Sequence, residues 1–174
     1  MADKAFVKAS TTTVSPEKSQ QEVQKLLRRY GASAINVMQD IAKREIVVSF
    51  IVPNSAEKDA PNVPVKIPVS VSQVYHAMYG MPTRWKDGGR VHDPNGYDRR
   101  KLEQAERVGW RNLVLWLDAA LSAATIGLQT ITEAFFAHAV VGASGERMIE
   151  VVEQFQSEMG VGTQRLLTSE VSHG

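Results

Sequence analysis

The chain has 174 residues, a net charge of +1, 43% hydrophobic residues and 22% charged residues. That balance excludes whole-chain disorder and fits one globular domain with an extended arm. The absence of cysteine excludes disulfides, thiolate metal sites and cysteine nucleophiles, and the small net charge leaves only a local case for nucleic acid.

The first nineteen residues contain no apolar run long enough for a secretory signal, so a cytoplasmic location is expected. Ala5 to Val14 is β-branched and Thr-rich, suited to a short strand or an ordered arm. Ser15-Pro16-Glu17 starts a helix: Ser caps, Pro takes the first helical position, and Glu complements the positive end. Val23, Leu26, Leu27 and Tyr30 recur at helical spacing before Gly31, which predicts an amphipathic helix over Pro16 to Tyr30. Three strands are predicted next, over Ser33–Gln39, Glu45–Val52 and Val63–Val71. The third carries Pro64 and Pro68, which cannot donate to a ladder, so it belongs at a sheet edge. Pro53 to Asn62 reads as a polar loop, and Ser72 as the cap of a short helix ending at Tyr79 before Gly80.

Gly80 to Gly96 reads as a long irregular segment, a length that is uncommon unless functional or disordered. Tyr97 to Val141 then contains no proline and would span roughly 65 Å as one helix. Asp118, Ser122, Thr125 and Gln129 form one narrow polar stripe in its middle. Asp118 therefore belongs on the solvent side, and a membrane span is excluded. Leu113, Trp116, Ala120, Ala124, Gly127, Leu128, Ile131 and Phe135 form the main apolar stripe, expected to serve as core and as an oligomer surface. Trp110 falls outside that stripe and calls for a second covering surface. A turn over Gly142 to Gly145, a helix over Glu146 to Met159 with Met148, Val152, Phe155 and Met159 on one face, and a tail with Leu166-Leu167 complete the chain.

The expected fold is α+β: an N-terminal helix, a three-stranded, mostly antiparallel sheet, one long apolar helix and a C-terminal helix. The expected divisions of a single domain, 1–174, are an arm (1–14), an α/β part (15–79), a loop (80–98), a helical part (99–160) and a tail (161–174).

The candidate ligand-binding residues are Arg84, Trp85, Lys86, Arg90, His92, Tyr97, Arg99, Arg100 and Lys101. Cations and flat rings together suit phosphates and unstacked bases. Asp87, Asp93 and Asp98 reduce the local surplus to three positive charges, and a solvated loop with a charged first turn is the plainer alternative. Three basic residues at a helix amino terminus oppose the helix dipole, which favours their facing a partner.

No metal or cofactor is expected, because His76, His92, His138 and His173 lack ligand spacing. His138 reads as a packed interface histidine. No phosphate-binding loop, dinucleotide fingerprint or nucleophile elbow is present, and no convergent titratable set argues for an enzyme.

The opener Ser15-Pro16-Glu17-Lys18-Ser19, the run Leu26 to Ala32, the strand segment Val47 to Phe50 and the stretch Ala105 to Leu113 resemble a group of small bacteriophage and prophage proteins. The resemblance covers roughly two thirds of the chain and implies origin and fold, not activity; a phage-encoded chain would work in the host cytoplasm. Two functional expectations follow. One is a non-catalytic, oligomeric phage accessory protein binding single-stranded nucleic acid or a nucleotide. The layout of a sheet backed by a long helix is also similar to that of phage single-strand annealing proteins. The other is a protein–protein module, such as an inhibitor of a host defence or replication enzyme.

Overall fold

The computed structural model describes residues 7–54, 61–141 and 144–158. The tail, Met159, the Gly142-Ala143 half of the expected turn, and most of the loop after Pro53 lie outside them.

Helix α1 (Pro16–Arg29) begins as expected, with Ser15 Oγ accepting from the Lys18 N–H at 3.3 Å. Ser19, Val23, Leu26 and Leu27 are its buried face. Strands β1 (Ala34–Asp40), β2 (Glu45–Pro53) and β3 (Asn62–Ser70) form an antiparallel sheet in the order β1-β2-β3. Their alternation puts Ile46, Val48, Phe50 and Val52 of β2, with Val65 and Ile67 of β3, into the core. Pro64 and Pro68 stand opposite Ile51 and Val47, and β3 is an edge strand of this sheet. Neither proline can donate towards β2, so both nitrogens point to the outer edge and blunt it, where Val65 makes a single antiparallel bridge to Ala139. Helix α2 (Val71–Tyr79) follows directly; its cap is Ser70, whose Oγ accepts from the Gln73 N–H, and not Ser72.

The expected irregular segment contains a second, two-stranded sheet: β4 (Thr83–Lys86) pairs antiparallel with β5 (Gly89–His92). Asp87 and Gly88 join them with φ of 50° and 82°. Two left-handed residues make the tight turn whose twist matches a hairpin, and Asp-Gly is a favoured pair for it. The loop expectation over 80–98 is therefore corrected to a hairpin with short flanks.

Helix α3 (Arg99–Thr125) is shorter than the uninterrupted stretch suggested. Gly127, at φ 77°, donates to the Ala124 carbonyl while the Leu128 N–H reaches Ala123, a C-terminal motif that stops the helix. Thr130 then starts α4 (Ile131–Phe135) with a capping box closed by Glu133. A 3-10 turn (Phe136–His138), the two-residue strands β6 (Val140–Val141) and β7 (Glu146–Arg147), and α5 (Met148–Glu158) complete the described chain.

This break changes the reading of the apolar stripe. The buried face of α3 is Trp110, Leu113, Val114, Leu117, Ala120 and Leu121, so Trp110 is core at 4% exposure and Trp116 is 39% exposed. A stripe projected through Gly127 carries a false phase, because the chain beyond it no longer follows the same helix. Leu128, expected on the stripe, is 76% exposed, whereas Ile131 and Phe135 are buried from α4 and Ala124 is half-buried. Phe135 closes the core edge-on against Phe50 at 5.6 Å. Asp118 and Ser122 are exposed, as the polar stripe requires. Over its described residues, 7–14, the arm is ordered but not a strand: Asn112 and Gln104 of α3 donate to the carbonyls of Lys8, Ser10 and Thr12 and hold it against the helix.

Candidate nucleic-acid interface

The β4–β5 hairpin is built for display. Seven of its eight strand residues are exposed, Gly89 being half-buried. Trp85 is 72% exposed, a large apolar ring that nothing in the fold requires to be there.

The register sorts the candidate residues. Thr83 faces His92 and Trp85 faces Arg90, so these four side chains share one side of the hairpin; Arg84, Lys86 and Val91 share the other. The Arg90 guanidinium carbon lies 5.9 Å from the Trp85 ring centroid, a cation–π pair across the strands. One side therefore joins a ring, a cation and an imidazole, and the other carries cations around a small apolar side chain.

The root of the hairpin is an aromatic cluster. The Asp93 N–H donates to the Pro82 carbonyl at 2.9 Å and closes the strands. His76 on α2 lies with Nε2 2.7 Å from the Tyr97 hydroxyl, their rings 5.7 Å apart. His92 reaches the same pair edge-on, 6.1 Å from His76 and 6.2 Å from Tyr97. Tyr75 packs against both His76 and Tyr97, and its hydroxyl accepts from the Asp98 N–H. Arg44, at φ 51° in the β1–β2 turn, lays its guanidinium carbon 4.2 Å from the Tyr97 centroid and donates to the Pro94 carbonyl. Burial holds His76 below the ordinary histidine value, and the charge of His92 adds to the effect.

Tyr97 is thus absorbed into packing rather than presented to solvent. At the start of α3, Asp98 caps by accepting from the Lys101 N–H. Arg99 pairs with Glu103 and Lys101 stands over the Tyr79 ring at 5.4 Å, while Arg100 is exposed. Sequence reading missed Arg44, Tyr75 and His76 as parts of this region, because they reach it from other elements. The Asp87-Gly88 pair was the one local signal that pointed to a hairpin.

His138 lies apart from this region. It is half-buried, edge-on to Trp116 at 5.6 Å, with Nδ1 buried and without a hydrogen-bond partner in the protein. Burial and then Arg147 hold it below the ordinary histidine value. Among the described residues, no group of three His, Cys, Asp or Glu side chains is placed to hold a metal ion, and no helix is long and apolar enough to cross a membrane. Three grooves of about 480, 260 and 910 Å³ are lined by residues outside the hairpin.

No family model, curated protein or solved structure matches this chain.

Proposed function

We propose that this chain is a non-catalytic binding protein, a phage accessory protein in keeping with the resemblance of its sequence, that takes single-stranded nucleic acid on the β4–β5 hairpin. The observation that carries the reading is the exposed Trp85 beside Arg90. A flat ring offers stacking to any base, and the adjacent guanidinium offers charge to the backbone. His92 extends the same side, while Arg84, Lys86 and Arg100 add field around it. The exposed hairpin, which lines none of those three grooves, favours an extended strand over a free nucleotide, which needs a concave pocket.

The test is fluorescence anisotropy of a labelled single-stranded oligonucleotide across a salt series. Affinity should fall with salt, with a slope of about −0.7 for each phosphate contact. Charge reversal at Arg90 should cost more than reversal at Arg84, because only Arg90 shares the Trp85 side. No binding at low salt would remove this reading.

Exposed apolar side chains favour a second reading, a protein–protein module or homo-oligomer. Phe136 is 52% exposed and Phe155 is 60% exposed, and α5 packs on the 3-10 turn that bears Phe136. Native mass at micromolar concentration tests it: a monomer, unchanged by Phe155→Ser, rules out the oligomer.

A further inference from the structure

We propose that the His76–Tyr97 contact is an acid-sensitive latch that holds the β4–β5 hairpin against α2, and that protonation of His76 at its root releases the hairpin. A two-stranded hairpin is marginal on its own in water, and this one buries no strand side chain. Its position therefore depends on its root, where His92 of β5 meets His76 and Tyr97, and Arg44 holds the following segment through Tyr97 and Pro94.

The charges around this root are unbalanced. His76 is faced by His92 from β5, by Tyr75 from its own helix, which itself packs on Tyr79, and by Tyr97, over which Arg44 already places a cation. Lys101 adds a second cation over Tyr79. The carboxylates flanking the segment, Asp93 and Asp98, accept from the backbone N–H groups of Asn95 and Lys101. Among the described residues, no ion pair joins His76 or His92 to a carboxylate. Charging His76 sets a cation against the Tyr97 ring that the Arg44 guanidinium already covers, and like charges on one ring repel. The neutral ring is the form the root tolerates, and acid removes it.

The consequence for ligand binding rests on the nucleic-acid reading of the hairpin; the latch itself does not. Amide hydrogen exchange of the full chain at pH 7.5 and 5.5, corrected for intrinsic rates, reads the latch directly. The Asp93 amide, which closes the strands, should lose protection on the order of tenfold at pH 5.5, the equivalent of one unit of differential proton binding. The Val48 amide in the central strand reports global stability and should stay far better protected than Asp93 at both pH values, which separates release from global unfolding. His76→Gln keeps a neutral hydrogen-bonding partner at both pH values and should flatten the response. Tyr97→Phe, which lacks the hydroxyl, should show low Asp93 protection already at pH 7.5.

Constant Asp93 protection in the wild type, or an equal fall in His76→Gln, overturns the latch. Oligonucleotide anisotropy run in parallel separates the two readings. Loss of Asp93 protection without any binding at pH 7.5 supports the latch and removes the nucleic-acid reading. Binding at pH 7.5 with constant protection does the reverse.

Discussion

Arg44 and Tyr97 meet where the three-stranded sheet approaches the hairpin root, the guanidinium carbon 4.2 Å from the ring centroid. Arg44 holds that position from a left-handed backbone conformation at φ 51°, which costs a non-glycine residue roughly 1 kcal/mol. Arg44→Gly relieves the backbone cost and removes a cation–π contact of about 0.5–1 kcal/mol. The two effects nearly cancel in global stability. The expected outcome is an unchanged urea midpoint with faster exchange of the Asp93 amide.

Trp85→Ala separates display from packing. Trp85 is 72% exposed, so thermal unfolding should shift by less than about 0.5 kcal/mol of stability. Oligonucleotide affinity should fall by about 1–3 kcal/mol, the typical value of one stacked base. An affinity equal to the wild type would show that the ring is not a stacking platform.

Trp110 and Trp116 should behave oppositely to the stripe drawn from sequence. Trp110 is 4% exposed and Trp116 is 39% exposed. Trp110→Ala is expected to cost about 3–5 kcal/mol, in the range of a buried tryptophan truncation. Trp116→Ala should cost clearly less, since its ring is partly exposed and meets Phe135 and His138 edge-on. Denaturant titration of both variants decides the order.

Stability should also depend on pH through two histidines. Burial is the leading cause that lowers both His76 and His138 in the folded chain. A group held below its ordinary value binds protons more readily when unfolded. Its contribution is therefore fully present above the ordinary histidine value of about 6.5 and is lost as pH falls below it. The urea midpoint should decline from pH 7.5 to pH 5.5. His138→Phe should reduce that decline without moving the Asp93 amide response.

The break in the long helical stretch is legible in the sequence. Gly127 is a stop signal, and Thr130 with Glu133 is a start signal three residues apart. The apolar run continues across both, so Leu128, placed on the stripe by the unbroken period, is exposed, while Ile131 and Phe135 are buried from a separate helix. The hairpin has the same history: Asp87-Gly88 supplied the turn, but its flanking strands lack the apolar alternation that marks buried strands. An exposed hairpin hides its period because neither side is core.

What the sequence determined by itself was local: the Ser15 cap, the alternation of β2 and β3, the proline-blunted edge and the solvent stripe through Asp118. Each follows from backbone geometry and from one element's own period. Tertiary structure alone decided which arc of α3 faces the sheet, because period fixes spacing and leaves rotation to the neighbours. It also decided that Arg44, His76, His92 and Tyr97 meet at one point. Those residues come from a turn, a helix, a strand and a loop, and no local pattern encodes an encounter that only chain folding brings about.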